Sequence, residues 1–129
     1  MPAASVGGMS EVVHQLYAAF EARDWAAAGA VLAPEVVYEL PQSRERVRGR
    51  ENYLRFNRDY PGEWHLTLDR TVTEGRQVVA WLTVTVGADV VVNLAWITLD
   101  EAGLVHRIVD FWPEPADPLP GRPDYVERS

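Results

Sequence analysis

Apolar residues recur along the chain first at helical and then at strand spacing. Ser10 is placed as an N-cap with Glu11 in the first turn, and Val12, Leu16 and Phe20, joined by Val13 and Tyr17, form the stripe of an amphipathic helix. Asp24 stands ready to cap a second short helix, "WAAAGAVLA", which Pro34 stops. "EVVYEL" reads as a strand ending at Pro41, and an arginine-rich loop follows. A third helix is predicted over 50–60, with Tyr53, Phe56 and Tyr60 on one side and Pro61-Gly62 ending it.

From there the period changes to two. "EWHLTLDRTVTEG", "QVVAWLTVTVG", "DVVVNLAWITLD" and "GLVHRIVDFW" read as four strands of a meander. Gly87-Ala88 forms one tight hairpin, and Glu101-Ala102-Gly103 another turn. Three helices with one early strand among them, then a run of strands, predict an α+β domain with the helices on one face of a mostly antiparallel sheet. Residues 1–9 read as a flexible N-terminus, 10–115 as the folded domain, and 116–129 as a proline-rich tail that hangs free, crosses a cavity mouth or lies on a partner subunit.

Composition mainly removes possibilities. The 129 residues fit one domain with one core. A net charge of −7 argues against nucleic acid or an anionic membrane as a partner. No apolar run is long enough to span a bilayer, and "MPAASVGGMS" lacks the basic start and apolar core of a signal peptide, so a cytoplasmic location is expected. With no cysteine there are no disulfides, thiol nucleophiles or thiolate metal sites. All 12 basic residues are arginine, which excludes lysine Schiff-base chemistry and a P-loop lysine. No metal, nucleotide or nucleophile-elbow motif is present, and no cofactor is called for.

The residue that asks for an explanation is Asp110, a carboxylate between Val109 and Phe111 in an apolar strand. Strict alternation puts it on one face with His106, Ile108 and Trp112, and Val105, Arg107, Val109 and Phe111 on the other. His106 lies about 13 Å along the strand, too far for a direct pair, and reads as a surface residue. On the preceding strand the same register turns Val91, Asn93, Ala95 and Ile97 to one side and Val92, Leu94, Trp96 and Thr98 to the other. Asn93, among valines and leucine, needs partners if buried. His14 is off the apolar line of its helix, and His65 points away from Trp64, Leu66 and Leu68. The six arginines from 44 to 58 read either as a local basic mouth for an anionic ligand or, with acids interleaved at 45, 51 and 59, as a solvated, salt-bridged segment, and the interleaving favours the second.

Three stretches resemble the SnoaL-like polyketide cyclase group of the nuclear transport factor 2-like superfamily. They are "LYAAFEARDWAAAGAVLAPEVVYELP", "RVRGRENYLRF" and "RIVDFWPEP". The resemblance implies a cone: a curved, mostly antiparallel sheet wrapped over three N-terminal helices, enclosing a ligand cavity, with a homodimer formed through the outer sheet face. It places Asp110 in the cavity as the acid/base, Tyr38 and Asn93 as polar orienters, Trp112 as an aromatic wall, and Tyr17 at the cavity floor or packed on the sheet. The apolar row of Val92, Leu94 and Trp96 fits the implied dimer face.

The same resemblance compares known activities. The tyrosine and two aspartates of ketosteroid isomerases are replaced, in the register of the pattern, by Leu16, Leu40 and Ala95. The epoxide-hydrolase set is matched only at Asp110 and Tyr38. The sparse requirement of the cyclases, one cavity acid in an otherwise apolar pocket, is the one this sequence could meet. The expected function is therefore a cofactor-independent cyclase or isomerase acting on a small apolar, carbonyl-bearing metabolite. A non-catalytic ligand-binding or accessory dimer module on the same scaffold is the alternative.

Overall fold

A computed structural model describes residues 6–129. Three helices, α1 (Val6–Glu21), α2 (Trp25–Ala30) and α3 (Arg50–Arg58), pack on one six-stranded sheet. Its strands are β1 (Leu32–Leu40), β2 (Glu45–Arg48), β3 (Trp64–Glu74), β4 (Gln77–Val86), β5 (Asp89–Leu99) and β6 (Val105–Phe111), in spatial order β2-β1-β6-β5-β4-β3. All neighbours are antiparallel except β1 and β6, which run parallel. The segregated α+β reading is what the chain adopts. No described helix is long and apolar enough to cross a membrane.

The boundaries depart from the sequence pattern at points with physical causes. Helix α1 begins at Val6, so Ser10 lies inside it rather than capping it, and four residues assigned to the flexible opening are helical; residues 1–5 lie outside the described part. Asp24 does cap α2, accepting the Ala27 N–H at 3.0 Å. Helix α2 ends at Ala30, and Pro34 sits within β1 instead of stopping a helix. It is exposed there, near a register shift between Leu32 and Val37, a place where a missing N–H is tolerated. Part of the arginine-rich loop is a strand: β2 pairs antiparallel with β1 and forms the sheet edge.

Two bulges re-aim the strands. Thr98 pairs with Arg107 and Leu99 with Val105, so His106 is the extra residue. Val105 therefore turns into the core with full burial, and His106 leaves the face of Asp110 and Ile108 that strict alternation gave it. In β3, Asp69 is the extra residue between Leu68 and Arg70, and its carboxylate accepts the Thr83 hydroxyl at 2.6 Å. The alternation of β5 holds: Asn93, Ala95 and Ile97 are buried, and Trp96 is exposed. Leu16, Phe20, Val36, Leu82, Ile97 and Ile108 close the core between helices and sheet.

Gly49 sets where α3 begins. Its φ of 90° and ψ of 147° turn the chain out of β2, a conformation that side chains with a Cβ avoid. Its N–H donates to the Val36 carbonyl at 2.8 Å and its carbonyl accepts from Tyr53 at 3.0 Å. The turn thus fixes which face of α3 looks at the sheet. Gly49→Ala is expected to destabilise the fold by about 1–3 kcal/mol through backbone strain alone, since nothing lies within 4 Å of the added Cβ. Urea denaturation checks this; an unchanged midpoint would contradict the assigned strain.

Candidate active site

Between the helices and the concave face of the sheet lies a cavity of about 750 Å³. Its wall is aromatic: Tyr17 and Phe20 from α1, Tyr38 from β1, Tyr53 and Phe56 from α3, and Trp64 from β3. The rings pack on one another, with Tyr38 at 4.8 Å from Tyr53 and 5.4 Å from Phe56 between centroids, which favours a fixed arrangement of the wall.

Asp110 and Asn93 are the buried polar side chains among the described core residues, and both line this cavity. Asp110 is 7% exposed. Its Oδ2 accepts the Tyr38 hydroxyl at 2.5 Å, while Oδ1 is buried with no hydrogen-bond partner. The pairing follows from the parallel register: Tyr38 lies opposite Ile108 and Glu39 opposite Val109, so a tyrosine reaching along the strand meets the carboxylate two residues on. Asn93 donates to the Phe111 carbonyl at 3.2 Å, bracing β5 against the end of β6.

Burial pushes the Asp110 carboxyl up to about 6; the Tyr38 hydroxyl and the nearby Asn93 amide pull it the other way and only partly compensate. Burial also drives the Tyr17, Tyr38 and Tyr53 hydroxyls above the usual tyrosine range, and the Asp110 charge adds to each. All three therefore stay protonated donors near neutral pH. A carboxyl with a raised pKa can exchange a proton near neutral pH, and protonated phenols beside it can donate hydrogen bonds.

Of the residues expected at the site, Asp110, Tyr38, Asn93, Trp112 and Tyr17 all line the cavity. From α1, Tyr17 and Phe20 line it, whereas Leu16 is fully buried in the core. Tyr38 is engaged with Asp110, so its hydroxyl orients the acid rather than standing free. Tyr53 was not singled out as a site residue, although its helical stripe with Phe56 and Tyr60 was visible; only the docking of α3 shows that this stripe faces a cavity.

The histidines stand apart. His14 is exposed, His106 lies outside the cavity lining, and His65 pairs with Glu21 at 2.8 Å on the surface. No group of three or more metal-ligating side chains occurs among the described residues. Trp112, Pro113, Glu114 and Pro115 line the cavity where the tail leaves β6, and the Trp112 N–H donates to the Gln42 side chain at 2.7 Å. The first residues after β6 thus rim the mouth.

The family model of the SnoaL-like domain matches residues 13–113. A candidate ketosteroid isomerase from Kribbella flavida DSM 17836 is 39% identical, with a TM-score of 0.89 over 94% of this chain and 89% of that one. An NTF-2 like protein of unknown function from Burkholderia xenovorans LB400 is 19% identical, with a TM-score of 0.79 over 94% of each chain. A candidate SnoaL-like polyketide cyclase from Shewanella denitrificans OS-217 is 12% identical, with a TM-score of 0.69 over 81% of this chain and 90% of that one. The last two are alike in fold. No curated protein matches the sequence.

Asp110 also couples stability to pH. Its folded pKa is raised from 3.8 to about 6, so the neutral form is favoured in the fold. Its contribution is fully present below the unfolded value and is lost as pH rises from about 4 through about 6, by on the order of a few kcal/mol. Denaturation of the native protein and of Asp110→Asn between these limits isolates the effect from other acids. The native protein should lose stability relative to the variant as pH rises, and a constant difference would show that Asp110 titrates normally.

Proposed function

The chain belongs to the SnoaL-like domain family, within the nuclear transport factor 2-like superfamily, and from that premise we propose that it is an isomerase- or cyclase-type enzyme acting on a small apolar, carbonyl-bearing metabolite. The observation that carries this reading is the Tyr38–Asp110 pair in an aromatic cavity, with one carboxylate oxygen held and the other unpartnered. The names of the Kribbella flavida and Shewanella denitrificans relatives support the same class.

In this reading Asp110 is the general base. Its carboxylate takes a proton from the carbon next to the substrate carbonyl, and the C–H electron pair moves onto the carbonyl oxygen to form an enolate. Tyr38 holds the carboxylate through Oδ2 and leaves Oδ1 lone pairs for the proton. The Tyr17 hydroxyl, kept protonated by burial, is the donor for the enolate oxygen. The proton then returns from Asp110 to another carbon in an isomerisation. In a cyclisation the enolate carbon attacks a second carbonyl and Asp110 protonates the resulting alkoxide. Asn93 and Trp112 orient the substrate, and no cofactor enters the balance.

The outer sheet face forms the second part of the proposal, a homodimer. Trp81, Leu94 and Phe111 align across β4, β5 and β6, and Val79, Trp96 and Val109 align beside them. Trp96 is 50% exposed in the single chain, and an apolar patch this continuous suits an interface. Trp96→Arg should shift sedimentation from dimer to monomer at micromolar protein; a native protein that already sediments as a monomer would end this part.

The catalytic reading is tested with α-deuterated aryl ketones by following exchange in water. Asp110→Asn should lower exchange at least about 100-fold while ligand-induced NMR shifts persist. In the native protein the rate should rise with pH through about 6, since the base must be ionised. Exchange that survives in Asp110→Asn would remove Asp110 from the chemistry.

A further inference from the structure

We propose that this cavity accepts substrates carrying a protonated amine, with the cationic nitrogen held at the mouth by Glu45, Asp89 and Glu114 while the carbonyl end reaches Asp110. The inference rests on the catalytic reading above and deepens it by naming a substrate class.

Among the described residues, the charged side chains that line the cavity are all carboxylates: Asp110 inside, and Glu45, Asp89 and Glu114 at the exposed end. No arginine or histidine lines it, in a chain with 12 arginines. Four arginines are engaged away from the lining. Arg46 and Arg107 both pair with Glu39 on the other side of β1, and Arg58 pairs with Asp59. Arg23 lies over the Trp64 ring and donates to the Phe20 and Trp64 carbonyls. None of the three mouth carboxylates has an ion pair among the described residues; Glu45 only accepts the Ser43 hydroxyl at 2.6 Å.

Asp110 supplies an independent observation. A carboxyl nine-tenths buried, with Oδ1 unpartnered, keeps a negative potential in the cavity whenever it ionises, because no cationic side chain lines the cavity to neutralise it. An anionic substrate would enter against that potential and past three more carboxylates. A neutral one would leave the mouth acids without a counter-ion among the described residues. A cation supplies the missing countercharge, and Tyr60 and Trp112 line the same cavity, aromatic rings of the kind that hold ammonium groups.

The test uses three acetophenones of one frame, para-substituted with aminomethyl, methyl or carboxymethyl, titrated by NMR at neutral pH. The aminomethyl ketone should bind about tenfold more tightly than the carboxymethyl one, with the methyl ketone between them. The preference should shrink at high salt and largely vanish in the triple variant Glu45→Gln, Asp89→Asn, Glu114→Gln, whose exposed positions leave the core intact. Equal or tighter binding of the carboxymethyl ketone, failure of the aminomethyl ketone to bind, or a preference unchanged in the triple variant would each overturn the proposal. α-Deuterium exchange on the same probes separates the two readings. Amine preference without exchange supports the selectivity and sinks the catalytic role, whereas exchange without amine preference does the reverse.

Discussion

Holding a carboxylate away from water in an apolar cavity is costly unless its charge is shared or its proton retained, and this constraint organises the molecule around Asp110. The hydrogen bond from Tyr38 meets half of the requirement, and the upward shift of the carboxyl pKa meets much of the rest. Both depend on the parallel pairing of β1 with β6, which sets Tyr38 beside the carboxylate. The Tyr38 ring in turn leans on Tyr53 and Phe56, and those face the sheet because Gly49 starts α3 in an orientation that a Cβ would strain. Sheet, helix and acid are thus linked through one phenol.

The charge distribution follows a division between two sides of the same strands. Outward residues of β1 and β6 gather opposite charges: Glu39 collects Arg46 and Arg107. Inward residues carry carboxylates and no counter-ion among the described residues. A β-strand makes such a division cheap to build, since adjacent residues point to opposite faces. Glu39 stands next to Tyr38, and Val109 and Phe111 flank Asp110. The exposed ion pairs add little stability, but they keep the arginines off the cavity side, where they would lower the Asp110 pKa.

Much of this architecture was legible in the residues. The period of the apolar pattern identified three helices, the meander and the faces of β5, because each depends on local spacing and on alternation that holds where no bulge intervenes. The Asp24 cap and the Gly87 hairpin were legible for the same local reason. Errors occurred where a local rule competes with contacts from elsewhere. Pro34 is a helix breaker by propensity, yet it sits in β1 where pairing shifts. The segment 45–48 looked like a charged loop and became an edge strand because β1 offered an open edge. His106 was put on the face of Asp110 until a bulge, invisible to strict alternation, turned it away. Leu16 and Tyr17 belong to one apolar stripe, yet Leu16 is in the core and Tyr17 in the cavity lining, because a helix turns by about 100° per residue.

By itself, the sequence determined the α+β class, the family, the absence of thiol and lysine chemistry, and the singular position of Asp110, since all of these reside in composition or short-range pattern. Only the tertiary structure decided that Tyr38 holds Asp110, that Tyr17 and Tyr53 share its cavity, and that the charged side chains of the described lining are all acidic. Those facts arise from β1 pairing with a strand some seventy residues away and from helices docking on the sheet. Such long-range registers are set by the sum of many packing contacts, and no local stretch of sequence carries them.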